Sequence, residues 1–196
     1  MSGVRLIVGL GNPGPEYAQT RHNAGAWLVE QWATSLGVSL REEGRFHGAT
    51  GRYQSGPHDV RFLIPSTFMN RSGQAVLALA TFYKILPQEI LVAHDELDLA
   101  PGVVRLKVGG GHGGHNGLRD IIAALSQQQG FARLRLGIGH PGEARQVSDF
   151  VLSKPPAQEL DLIERGIACA LEHREALLAG QYAAVMNRLN GGKPSQ

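Results

Sequence analysis

The sequence has little of several features that would point to particular classes of protein. A single cysteine, Cys169, among 196 residues excludes an internal disulfide and favours a reducing compartment. No apolar run reaches the length of about 18 residues that a membrane span needs. The run Leu6–Leu10 is also too short for a signal peptide. We therefore expect a cytoplasmic protein that does not enter a membrane.

An excess of charge of either sign is also absent. The chain has 19 lysines and arginines against 17 aspartates and glutamates, a net charge of +2. This balance excludes a polycation that coats nucleic acid by bulk charge. A nucleic-acid partner would need basic groups concentrated on one face. The length suits one domain whose core needs neither disulfides nor a structural metal.

Short apolar segments alternate with segments of helical periodicity. Strands are predicted at Val4–Gly9, Phe62–Ile64, Ile90–Ala93, Val103–Val108 and Leu134–Ile138. Helices are predicted from Asn23 to Gly37, at Ala75–Tyr83, Leu118–Leu125 and Leu160–Leu178, and near Tyr182–Leu189. This alternation predicts one α/β domain over 1–190, with a mixed, mostly parallel central sheet and helices on both faces. A flexible tail is expected over 191–196.

Three predicted loops leave the carboxyl ends of strands, where open α/β sheets place their ligand sites. They are Gly9–Asn23, Pro65–Asn70 and Asp95–Asp98. The first loop contains a literal GxGxxG pattern, but Pro13 and Pro15 remove N–H donors that a pyrophosphate would need. The pattern therefore does not indicate a dinucleotide site.

Two of these loops carry a candidate acid–base pair. His22 lies where the first loop meets a helix, a position that also suits a surface or capping histidine. Asp95 follows a strand and could orient a histidine, although it also suits a turn. No GxSxG nucleophile motif is present, and Cys169 lies in an amphipathic helix. Hydrolysis by water under general-base catalysis is therefore the simpler mechanism.

Asparagines recur at loop positions in the sequence. Each could cap a helix or form a turn, and together they would suit a neutral amide substrate. We assign Asn23 to helix capping and leave Asn12, Asn70 and Asn116 open between the two roles.

A metal site is an alternative interpretation of His112, His115 and Asp95. The two histidines lie in a glycine-rich loop, where a three-residue spacing does not fix ligand geometry as it does on a helix. We therefore expect no metal and no cofactor.

Five motifs together resemble the bacterial-type peptidyl-tRNA hydrolases, in their order and spacing and over most of the chain up to Asn187. They are Val8–Gly14 (VGLGNPG), Tyr17–Gly25 (YAQTRHNAG), Pro65–Asn70 (PSTFMN), Asp95–Asp98 (DELD) and Gly109–Asp120 (GGGHGGHNGLRD). Several long motifs that coincide are far more specific than any one pattern.

The resemblance implies a monomeric enzyme that hydrolyses the ester between a peptide and tRNA, without metal or cofactor. His22 would activate water, Asp95 would hold His22, and Asn12 would contact the peptide. Contacts to the peptidyl end and the terminal tRNA nucleotides are implied for Tyr17, Phe68, Asn70 and Asn116, an apolar cleft wall for Met69, and acceptor-stem phosphate contacts for Lys107 and Arg135.

The basic residues fit this picture on independent grounds. Arg105 and Lys107 lie two apart on one predicted strand, as do Arg133 and Arg135, so each pair shares a face. These faces could clamp phosphates or simply be solvated, and the roles of Arg105, Arg133 and His115 stay open. Two alternative functions also remain, a binding module like the related chloroplast proteins in intron splicing, and a metal-assisted peptidase.

Overall fold

Residues 3–191 are described by a computed structural model of the chain. The strands are β1 (Leu6–Gly9), β2 (Arg41–Glu43), β3 (Gly48–Ser55), β4 (His58–Pro65), β5 (Ile90–Glu96), β6 (Val104–Val108) and β7 (Ala132–Gly137). The α-helices are α1 (Ala24–Ser35), α2 (Ser72–Phe82), α3 (Asn116–Ala124), α4 (Val147–Val151), α5 (Ala157–Leu171), α6 (Arg174–Leu178) and α7 (Tyr182–Gly191).

The strands form one sheet in the order β2-β3-β4-β1-β5-β7-β6. Neighbours in the central part, β4-β1-β5-β7, pair in parallel, whereas β2, β3 and β6 pair antiparallel. The predicted single α/β domain with a mixed, mostly parallel sheet is confirmed. None of the helices within residues 3–191 has the length and hydropathy to cross a membrane.

Successive residues of a strand point to opposite faces of the sheet, so the apolar strands give both faces an apolar surface. Helices cover both of these faces. Ile7 of β1 packs with Trp32 of α1 and Ile167 of α5 in one buried cluster. Its neighbour Leu6 belongs to a second cluster, on the side of α2 and α3, which includes Leu79.

Gly25 lets α1 approach the centre of the sheet closely. A Cβ atom at this position would lie 2.2 Å from the carbonyl oxygen of Ala93 in β5, so only glycine fits. The first turn of α1 therefore lies directly against β5. This packing brings His22, two residues before α1, close to Asp95, two residues after Ala93.

Some predicted elements were incomplete. The hairpin of β2 and β3 was missed because its exposed edge position gives no apolar run. The helix predicted over Leu160–Leu178 is divided at Glu172 and His173 into α5 and α6, and the guanidinium of Arg174 donates to the carbonyl of Leu171 at the end of α5. The described part of α7 includes Gly191, the first residue of the predicted tail, and residues 192–196 lie outside the described residues.

Candidate active site

A cleft of about 670 Å³ opens at the edge of the sheet where β1, β4 and β5 have their carboxyl ends. The three loops singled out in the sequence all contribute to it. The cleft residues that the sequence predicted are Asn12, Tyr17, His22, Phe68, Met69, Asn70, Asp95 and Asn116. His115, whose role the sequence left open, also lines it, as do residues to which the sequence assigned no role, notably His94, Glu96, Val147, Ser148, Val151 and Leu152.

His22 and Asp95 are hydrogen-bonded at the inner end of the cleft. Nδ1 of His22 lies 2.9 Å from Oδ2 of Asp95, and both residues are buried. His22 belongs to a one-turn 3-10 helix that precedes α1, while Asp95 lies near the end of β5. The close approach of α1 to β5 at Gly25 therefore explains why residues 73 positions apart meet here.

His115 binds the other carboxylate oxygen of Asp95. Its Nε2 lies 2.8 Å from Oδ1, while its Nδ1 accepts from the backbone amides of Gly117 and Leu118 at 3.1 and 3.3 Å. These amides can only donate, so the proton of His115 must be on Nε2 and must point at Asp95. His115 thus caps α3 and orients the carboxylate at the same time.

The ionised carboxylate leaves His22 with a free basic nitrogen. A carboxylate accepts hydrogen bonds, so His22 carries its proton on Nδ1 and has its lone pair on Nε2. Burial alone would lower the pKa of His22, but the charge of Asp95 and its hydrogen bond outweigh burial and raise it. Burial opposes the ionisation of Asp95, whereas the charge of protonated His22 and the hydrogen bonds from His22 and His115 hold its pKa well below its usual range.

Asn12 presents only a hydrogen-bond donor to the cleft. Its Oδ1 accepts from the amide of Met69 at 2.7 Å, which leaves Nδ2 for a ligand. Asn23 holds the backbone of Asn12 through two hydrogen bonds of 2.9 Å. The side chain of Asn23 does not cap α1, so its assignment to helix capping was wrong. It braces the loop of Asn12 instead.

The mouth of the cleft combines exposed aromatic and amide groups. Phe68 is 57% exposed and meets Tyr17 edge to face, with 6.2 Å between the ring centroids. Asn70 and Asn116 are exposed, and Oδ1 of Asn116 accepts from the guanidinium of Arg119 at 2.8 Å. These groups can stack on a base and bind amide or hydroxyl groups.

The four basic residues of β6 and β7 occupy one face of the sheet but differ in environment. Lys107 is exposed opposite Arg133, and Arg135, opposite Arg105, forms an ion pair of 2.9 Å with Glu96 of the cleft. Arg133 is 2% exposed and donates to the carbonyls of residues 110, 111 and 129, while Arg105 donates to those of residues 104 and 189. Lys107 and Arg135 are therefore better placed for phosphate than the other two.

His22, Asp95 and His115 also form a possible metal-ligand set, with ligand atoms within 4.8 Å of one another. The set differs from the one considered in the sequence, because His112 accepts from Gly114 instead of joining it. A metal bound through the nitrogens that face Asp95 would displace their protons. For His115 this would move the proton to Nδ1 and break the cap of α3.

Comparisons with known proteins place this geometry in a family. The family model described as peptidyl-tRNA hydrolase matches residues 6–196. The chain belongs to the peptidyl-tRNA hydrolase family. It is 57% identical to the peptidyl-tRNA hydrolase of Acinetobacter baylyi, over 99% of this chain and 100% of that protein. The corresponding protein of Pectobacterium atrosepticum is also 57% identical, over 98% and 99%.

The fold is likewise that of a solved member of the peptidyl-tRNA hydrolase family. The crystal structure of peptidyl-tRNA hydrolase from Acinetobacter baumannii superposes with a TM-score of 0.95 at 55% identity, covering 100% of this chain and 98% of that one. The family resemblance found in the motifs is therefore confirmed along the whole chain.

Proposed function

We propose that the chain hydrolyses the ester between tRNA and a peptide or N-blocked amino acid, and so releases free tRNA for reuse in translation. The observation that carries this proposal is the hydrogen bond from Nδ1 of His22 to Asp95, which leaves Nε2 as a base in the cleft. Family membership supports the same reaction.

In this mechanism Nε2 of His22 takes a proton from water as the water oxygen attacks the ester carbonyl. The negative carboxylate of Asp95 stabilises the resulting imidazolium. The ester C=O becomes an oxyanion, which amide donors of the cleft can stabilise. When the intermediate collapses, His22 returns its proton to the departing ribose oxygen, and the acid and free tRNA result.

Selectivity for blocked substrates follows from the fixed orientation of Asn12. Its free Nδ2 can donate to the carbonyl oxygen of a peptide bond or N-acyl group. A free aminoacyl ester offers an ammonium instead, which cannot accept this bond and must be desolvated in the cleft. The cleft thus rejects the free aminoacyl-tRNA.

In this proposal the 3′ end of the tRNA binds to the residues around His22 at the mouth of the cleft. Phe68 and Tyr17 stack on terminal nucleotides, Asn70 and Asn116 bind polar groups of the 3′ end, and Met69 adds an apolar wall. Lys107 and Arg135 contact phosphates of the acceptor stem, because Lys107 is exposed and Arg135 lies beside the cleft, paired with Glu96.

We also propose that the chain acts as a monomer in the cytoplasm. All groups assigned a role belong to one chain, so catalysis needs no second copy. The lone Cys169 suits a reducing compartment. Neither a metal nor a cofactor takes part, because water, a base and neutral donors complete the reaction.

The decisive assay compares two substrates on the same tRNA, an N-acetylated and a free aminoacyl ester. We expect rapid release of the blocked amino acid, slow release of the free one, and no change after exhaustive chelation. Binding of tRNA without release would indicate a binding module instead. Loss of activity on chelation, with rescue by zinc or manganese, would indicate metal-assisted hydrolysis.

A further inference from the structure

Arg21 is the immediate neighbour of His22, but its side chain is used elsewhere. It is 6% exposed and is not among the residues that line the cleft. One guanidinium nitrogen donates to the carbonyl of Phe150 at 3.2 Å and to the hydroxyl of Ser153, and the other donates to Glu159 at 3.0 Å. The guanidinium also lies over the ring of Phe150, 4.0 Å from its centroid.

The backbone of Arg21 joins the same connection. Its amide donates to the carbonyl of Ser153 at 3.0 Å. Burying a guanidinium costs several kcal/mol unless hydrogen bonds and an opposite charge compensate for it. Here carbonyl, hydroxyl and carboxylate groups compensate the two terminal nitrogens, while Nε has no hydrogen-bond partner within the described residues. Arg21 therefore ties the turn that carries His22 to the segment 150–153 and to the first turn of α5.

The segment held by Arg21 forms a wall of the cleft. Val147, Ser148, Val151 and Leu152 line the cleft, and the first three lie in α4. A helix of five residues is not stable on its own. Val151 is buried, and Val147 and Phe150 pack against the same apolar cluster. These contacts hold one face of the helix, and Arg21 supplies the polar contacts that tie the end of the helix to the turn of His22.

We propose that Arg21 is a positioning residue for substrate binding, which fixes the wall of α4 against the turn that carries the base. The inference rests on the proposed function, since it concerns the same cleft. Arg21 acts on the affinity for the peptidyl end and not on proton transfer, because its guanidinium binds neither His22 nor Asp95.

Two conservative variants test this role. Arg21→Lys keeps the charge but has a single nitrogen, which cannot occupy the positions of both guanidinium nitrogens, and Glu159→Gln removes only the charge of the partner. For Arg21→Lys we expect KM for N-acetylated aminoacyl-tRNA to rise about ten-fold, a loss of about 1.4 kcal/mol, with kcat within about two-fold. Glu159→Gln should raise KM by less. The matched control is Arg165→Ala, which breaks an exposed ion pair on the same helix.

Hydrogen exchange gives a second measurement that does not depend on activity. Backbone amides of residues 148–153 should exchange about ten times faster in Arg21→Lys than in the wild type or the control. If the wild type hydrolysed no ester, the proposed function would fail, but this measurement would still decide whether Arg21 holds the wall.

Two results would overturn the inference. One is an unchanged KM and unchanged exchange in folded Arg21→Lys protein. The other is a fall in kcat together with a shift in the acidic limb of the pH–rate profile. That result would show that Arg21 acts on the proton transfer of His22 and not on substrate binding. If Arg21→Lys does not fold, Glu159→Gln decides by the same two measurements, and no change in either would overturn the inference.

Discussion

Nε2 of His115 donates to Oδ1 of Asp95 across 2.8 Å, and the backbone amides that His115 caps leave it no other tautomer. Asp95 must therefore keep an acceptor pointed at His115. Its second oxygen is then the one available to His22, at 2.9 Å. The tautomer of His22 thus depends on His115, with which His22 forms no hydrogen bond.

This relationship predicts an unusual outcome for Asp95→Asn. The amide oxygen must face His115, so the NH₂ group faces His22 and accepts nothing. His22 then carries its proton on Nε2, where the base should be free. We expect kcat to fall by about 10⁴, as for the comparable change in the serine protease triad. Residual activity should have its acidic limb at lower pH, because the carboxylate no longer raises the pKa of His22.

A second substitution provides the control for this explanation. His115→Asn keeps an oxygen that can cap α3, but its side chain is too short to donate to position 95 as Nε2 of His115 does. In the double variant the amide at position 95 can turn its oxygen toward His22. The double variant should therefore be more active than Asp95→Asn alone. Equal or lower kcat in the double variant would show that the tautomer of His115 does not control the site.

Asn12→Asp should weaken the discrimination against free aminoacyl-tRNA. One carboxylate oxygen can still accept from the amide of Met69, so the loop should keep its position. The other oxygen replaces a donor with a negative acceptor, which attracts an ammonium and repels a carbonyl oxygen. We expect the ratio of kcat/KM for blocked over free substrate to fall by at least about ten-fold, since a hydrogen bond to a charged group contributes about 1.5–3 kcal/mol. An unchanged ratio would contradict the assigned role of Asn12.

Lys107→Ala should raise KM for full-length tRNA substrates without a large change in kcat. Removing one phosphate-binding cation should reduce the slope of log K against log salt by about 0.9. Arg135→Ala should act in the same direction. The control is Arg52→Ala, which removes an exposed arginine of β3 that forms an ion pair with Asp59 of β4. If both test variants bind tRNA like the control at every salt concentration, the phosphate site lies elsewhere.

His94 should make stability depend on pH. Burial lowers its pKa from 6.5 to about 4. Between these values the unfolded chain binds the proton more strongly, so the free energy of unfolding must fall as pH decreases from about 6.5 to about 4. Urea unfolding of His94→Phe at pH 7, 5.5 and 4.5 should show a smaller decrease than the wild type. Parallel decreases would mean that His94 is not held neutral by the fold.

The sequence predicts the sheet core and most of the site because both depend on local patterns. Apolar segments give β1 and β5, and the loops at their ends place His22 and Asp95 in one cleft. The environment of Arg133 was not predictable. The alternation of residues along a strand assigns Arg133 to a face of the sheet, but it does not tell that the loop of Gly111 covers Arg133 there. The same holds for Arg21 and Ser153, whose contact joins residues 132 positions apart in a segment without a periodic pattern.

The central claim is that His22 is the base, and single-turnover hydrolysis of N-acetylated aminoacyl-tRNA by His22→Ala tests it most directly. Saturating enzyme separates chemistry from binding and product release. We predict a rate constant lower by about 10² to 10⁴, with tRNA affinity close to that of the wild type and partial recovery on addition of imidazole. A folded His22→Ala protein that cleaves the ester at nearly the wild-type rate would contradict the claim.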